Sequence, residues 1–119
     1  MRKKFIVEFG MGTDLHGQDV TKACRKAVKD AISRSCLCGV QEILELKNLQ
    51  EMYVDVKLSS PFPERVEQQA VLNEIPFGRK SIEVVAGGLN VPTLCIPELG
   101  DANADAVVAL AAVTVSIDM

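Results

Sequence analysis

The sequence predicts an α+β domain: a two-layer β-α-β-α-β-β chain, with two helices on one face of a mixed four-stranded sheet. Three observations carry that prediction. Apolar and polar residues alternate over residues 3–10, 52–58 and 80–86, the period of a half-buried strand. Between the first two lies an unbroken helical stripe. The last apolar run, Ala106 to Ile117, is rich in β-branched residues, which favours a strand over a buried helix.

The elements follow in order. Lys3 to Gly10 reads as a strand, with Phe5, Val7 and Phe9 on one face and Ile6 and Glu8 on the other. A glycine-containing loop follows, and Asp19 is placed to cap a helix. In that helix Val20, Ala23, Cys24, Ala27, Val28, Ala31 and Ile32 form the apolar stripe, and Gly39 is the expected stop signal. Lys22, Arg25, Lys26 and Lys29 fall opposite and read as a solvated face. Residues 40–50 form a connection of undefined shape. Met52, Val54, Val56 and Leu58 mark the second strand. Pro63 opens a second helix, expected to run to about Glu74 and to stop at Pro76. Ile82, Val84 and Ala86 mark the third strand, and Gly87-Gly88 with Asn90-Val91-Pro92 mark a bend. Leu94 to Glu98 is expected to be extended, because residues before proline avoid the helical region.

The 119 residues make one domain, 1–119, long enough to bury its own core. A net charge of −3 and no Trp give no surface suited to nucleic acid. No apolar run reaches the ~18 residues of a membrane span, so no membrane partner is expected. Four cysteines without a secretory pattern suggest reduced thiols and a cytoplasmic location. The last strand reads as apolar on both sides, so the sheet face away from the helices should be covered by another subunit.

The stretch from Phe9 to Asp19, FGMGTDLHGQD, holds three of the eight glycines and the only histidine. Gly10 and Gly12 would let backbone approach a ligand, and their N–H groups beside a helix N-terminus would attract an anion. Gly17 frees the turn into Asp19. His16 is the candidate proton carrier, since imidazole ordinarily titrates near ~6.5. Asp14, two residues away, could orient it, accept a proton, or merely shape the loop as an Asx-turn. Glu98 is the second candidate carboxylate, with a solvated turn residue as its plain alternative. Cys95 reads as a small core side chain or as part of a ligand site. Cys36 and Cys38 read as packing, and Arg79 and Lys80 as surface residues at a strand start.

The string Gly10-Met11-Gly12-Thr13-Asp14-Leu15-His16-Gly17 resembles the G-x-G-x-D-x-H-G signature of a conserved hypothetical family of bacteria and, with an extension, of plants. The resemblance runs on into QDVTKACRKAVKDAI and the later GGLNVP and PELGD, and it implies no reaction. At the level of fold the element order resembles the trimeric bacterial chorismate mutases and the Rid-type enamine deaminases. VPTLCIPEL, Val91 to Leu99, is similar to a mutase segment whose Cys and Glu line an inter-subunit site. That likeness implies a homotrimer with Cys95 and Glu98 at the boundary. The same glycine string is similar to a methylerythritol cyclodiphosphate synthase motif in which Asp and His bind zinc. By that match Asp14 and His16 would be ligands of a divalent metal, and no other cofactor is implied.

Together these readings give an enzyme that acts on a small anionic metabolite by proton transfer, with His16, Asp14 and Glu98 at an inter-subunit site. The alternatives are a non-catalytic ligand-binding or regulatory oligomer, and a metal-dependent enzyme.

Overall fold

A computed structural model describes residues 1–119. It has an α+β fold with one mixed sheet. The strands are β1 (Arg2–Asp14), β2 (Tyr53–Ser60), β3 (Arg79–Ala86), β4 (Leu89–Pro92) and β5 (Asp105–Asp118). The helices are α1 (Val20–Ile32), α2 (Cys38–Glu42) and α3 (Gln68–Leu72). The sheet order is β1-β5-β2-β3, and the short β4 also pairs with β5, which makes five strands where four were expected. β2 and β3 run parallel, while β5 is antiparallel to β1, β2 and β4. The strand over Ala106 to Ile117 is borne out. Its β-branched residues alternate between the core and the other face.

Two expected helices are shorter than their patterns. α1 ends at Ile32 with Ser33 as its cap, and Gly39 lies in the first turn of α2, so Gly39 is not the stop signal expected. The segment from Pro63 divides into a 3₁₀ turn, Pro63–Arg65, and the five-residue α3, because Val66 and Glu67 are extended between them. Val66 instead joins the core.

All three helices lie on one sheet face. The main core joins α1 and α3 to β2 and β5, through Val28, Ala27, Val71, Leu58 and Val113 among others. A second, smaller cluster gathers Val40 of α2 with Met52, Val115 and Ile117.

β1 shows why α1 sits where it does. The strand continues through the expected glycine loop as far as Asp14. Glu8, Gly12 and Asp14 are on the helix-covered face, in phase with Gly10. A Cβ on Gly10 would lie 2.9 Å from Ala31 Cα and closer still to the Ala27 carbonyl. A Cβ on Gly12 would lie 2.8 Å from Lys26 Cβ and collide with the Ala23 carbonyl. The close approach these glycines permit is therefore that of α1, not of a ligand.

The opposite face is uncovered. Val7, Phe9 and Met11 of β1 are 42%, 69% and 56% exposed, beside the exposed Leu110 of β5 and Leu89 and Val91 of β4. The chain is also extended for its size. Its radius of gyration is 16.0 Å, where a compact chain of this length would have ~13.5 Å. Its accessible surface is 7030 Å², where ~6300 Å² is usual for a monomer of this mass.

Candidate functional site

The turn from Leu15 to Asp19 leaves β1 and enters α1. Asp14 is buried at the last strand position, and its Oδ2 accepts the Asp19 N–H at 2.8 Å. Asp19 is the expected N-cap: its Oδ1 accepts the Lys22 N–H at 3.1 Å. Two carboxylates thus occupy the positive end of α1, which favours them there. Gly17 and Gln18 both take the left-handed conformation, with φ of 98° and 52°. For Gln18 that is a strained backbone, held by what its side chain does.

That side chain reaches the loop before β5. Gln18 Nε2 donates to Asp101 Oδ1 at 3.0 Å and to the Asp105 carbonyl at 3.0 Å, while Gln18 Oε1 accepts the Ala102 N–H at 3.0 Å. Asp101 is the centre of the arrangement. Its side chain is fully buried, and four donors meet its two oxygens. The Ile96 N–H and His16 Nδ1 lie 2.8 and 2.7 Å from Oδ2. The Gly17 N–H lies 2.7 Å from Oδ1, beside Gln18. The bond from Ile96 comes first in holding the Asp101 carboxyl well below the usual carboxylate range, with His16, Gly17 and Gln18 adding to it against the opposing effect of burial.

An ionised Asp101 can only accept, so the neutral imidazole must carry its proton on Nδ1. Nε2 is then the basic nitrogen, and the side chain is 31% exposed, open to solvent or a ligand. A base oriented from behind by a buried carboxylate is an arrangement suited to proton transfer.

The sequence reading placed the candidates unevenly. His16 has a polar partner and partial exposure, but its partner is Asp101 and not Asp14. Asp14 is turned toward the start of α1, 3.8 Å from Lys22 Nζ through Oδ1. The Gly17 N–H is engaged by Asp101, and Gly10 and Gly12 are strand residues under α1, so the expected anion cradle is not formed by these glycines. Glu98 is exposed on the 3₁₀ turn Pro97–Leu99 and forms no ion pair or side-chain hydrogen bond. Cys95 is exposed rather than in the core, with Sγ 3.9 Å from the Asp101 carbonyl. Cys36 and Cys38 are exposed too, because α1 ends before them.

Asp14 and His16 serve different partners, and no three His, Cys, Asp or Glu side chains gather anywhere as a metal-ligand group. The residues present do not fit the suggested divalent site. Neither of the two main cavities is lined by His16 or Asp101. No helix is long and apolar enough to cross a membrane.

Asp101 and Gln18 were missed. Nothing local in the sequence links them to His16, since 85 residues separate His16 from Asp101. The only hint is the density of Gly, Asp and Asn in GDANAD, the mark of a loop built on side-chain hydrogen bonds.

Comparison with known proteins finds a family and a solved structure similar to this chain. Residues 4–115 match a family model described as Conserved hypothetical protein (Lin0512_fam). The chain is also similar to the crystal structure of an FtsZ-like protein of unknown function from Nostoc punctiforme PCC 73102. The two are 45% identical, with a TM-score of 0.91, and the match covers 99% of this chain and 98% of that one. No curated protein matches.

Proposed function

Since the chain belongs to this family of conserved hypothetical proteins, a description that names no reaction, we propose its chemistry from the turn itself. The protein is a small-molecule enzyme that moves a proton through His16, at a site completed between subunits. One observation carries the reading: the 2.7 Å contact from His16 Nδ1 to the buried Asp101. It presents Nε2 outward as the base and stabilises the imidazolium that forms when a proton is taken.

The substrate is a small anionic metabolite. Lys22 and Lys26, on the first turns of α1, supply positive charge beside the turn. Cys95 and Glu98, exposed on the loop that holds Asp101, are available to the substrate or to a neighbouring subunit. The uncovered apolar face of β1, β4 and β5 supports a second copy as its cover, and a homotrimer is the assembly we expect. Four free cysteines fit a reducing cytoplasm. A non-catalytic ligand-binding oligomer is the second reading, favoured by an apolar cavity remote from His16.

The test is hydrogen exchange. The protein is incubated in D₂O with a panel of small carboxylates and phosphate esters, and exchange at carbon is followed by proton NMR. At least one compound should exchange with the wild type. His16→Ala should slow that exchange by about 10²–10⁴-fold. Equal exchange with His16→Ala, or none with the wild type, would sink the reading.

A further inference from the structure

The main core and the cluster around α2 do not merge. Between them, at the carbonyl end of α1, lies a cavity of about 330 Å³. That volume falls in the range of small-molecule sites. Its floor is apolar and buried, formed by Val40, Met52, Val54, Val113 and Val115. Its rim includes Cys36, Cys38 and Phe77, all exposed, so the cavity is reachable.

One charged side chain lines it, Glu8 of β1. Glu8 is 9% exposed and no side chain of the protein pairs with it, so its carboxylate oxygens keep contact with the water of the cavity. The other polar side chains on the lining, Ser35 and Gln41, are neutral and form no hydrogen bond with it. No Lys or Arg lines the cavity. The nearest helix end is the negative one, which does nothing to offset a carboxylate. A carboxylate on the wall of an otherwise apolar cavity, with no counter-charge in the chain, favours a cationic group brought in by a ligand. Glu8 also occupies the strand face on which Gly10 and Gly12 meet α1, where an apolar side chain would serve the core better.

We propose that this cavity is a binding site for a small apolar molecule carrying one cationic head, of the class of alkyl or aryl-alkyl primary amines. The ammonium group pairs with Glu8 and the hydrocarbon body fills the apolar floor. The site is separate from His16 and does not rest on its proposed role.

The experiment is calorimetric titration of the whole protein with three matched probes: hexylamine, hexanol and hexanoate. The amine should bind, the alcohol should bind at least about tenfold more weakly, and the carboxylate should not bind. In methyl NMR the amine should shift Met52, the buried methionine of the floor, and leave Met1 and Met119 unmoved. Glu8→Gln should reduce amine affinity about tenfold or more and leave the alcohol unchanged. Cys36→Trp, at the rim, should block the amine while keeping Glu8, which guards against a folding defect in the first variant. No amine binding to the wild type, equal affinity for the three probes, or undiminished amine binding by a folded Glu8→Gln protein would overturn the proposal.

Discussion

His16 Nδ1 lies 2.7 Å from Asp101 Oδ2, across 85 residues of chain, and this contact ties the end of β1 to the loop that precedes β5. It fixes which nitrogen of the ring is exposed. The protein has one histidine, so its imidazole nitrogens can be read without assignment. Nitrogen NMR of the neutral ring should find the proton on Nδ1. In Asp101→Asn that preference should weaken, and any His16-dependent rate should fall by about 10²-fold or more. An unchanged tautomer and rate in Asp101→Asn would mean that Asp101 does not orient the ring.

The same carboxylate makes a stability prediction. Its folded pKa is depressed, so the unfolded chain takes up a proton first as pH falls. The contribution of Asp101 is complete above the unfolded value of ~3.9 and is lost as pH drops from there toward the lower folded value. Urea unfolding followed between pH 6 and 2 should show this acid loss in the wild type. Asp101→Asn should be less stable at neutral pH, with a shallower decline below pH 4. Parallel curves for the two proteins would contradict the assignment.

Gly12 sets the distance between β1 and α1. Gly12→Ala adds a methyl group where the Ala23 carbonyl and Ala27 amide already sit. The helix must move off the sheet, and its apolar stripe with it. A loss of about 1–3 kcal/mol is expected from overpacking of this kind. Chemical denaturation measures it, and an alanine variant as stable as the wild type would show that α1 can shift freely.

The four thiols should divide three to one. Cys24 is fully buried in the main core, and burial pushes its thiol up, ahead of a lowering contact with Ser60. Cys36, Cys38 and Cys95 are exposed. Alkylation of the native protein at neutral pH, read by mass spectrometry, should label those three rapidly and Cys24 only on unfolding. Covering of Cys36, Cys38 or Cys95 by another subunit would appear as a missing fast label.

The uncovered sheet face predicts association. Phe9 is the most exposed of its apolar side chains on β1, at 69%. Light scattering of the wild type should give a multiple of 12.9 kDa. Phe9→Asp should shift the population toward the monomer, because a charge would be trapped in an apolar contact. A wild-type monomer at micromolar concentration would rule out the second copy as the cover.

By itself the sequence determined the α+β class, the start of α1 at its Asp19 cap with its apolar stripe to Ile32, and the strand over Ala106 to Ile117. These rest on periods and caps that act within one turn or one strand, so local residues suffice. It also singled out His16. It did not say which face of β1 meets the helix. The alternating pattern offers Phe5, Val7 and Phe9 as an obvious core face, yet α1 packs on the face of Glu8, Gly10, Gly12 and Asp14. The reason is steric: only there can the helix backbone come close enough for Ala23, Ala27 and Ala31 to be buried. Tertiary structure alone decided the rest. Asp101 reaches His16 because β5 runs antiparallel beside β1, pairing Asp14 with Val107 and so bringing the end of one strand to the start of the other. Glu8 faces a cavity because α1 stops short of it. Contacts that depend on strand order and helix length across the whole chain leave no periodic trace in the residues that make them.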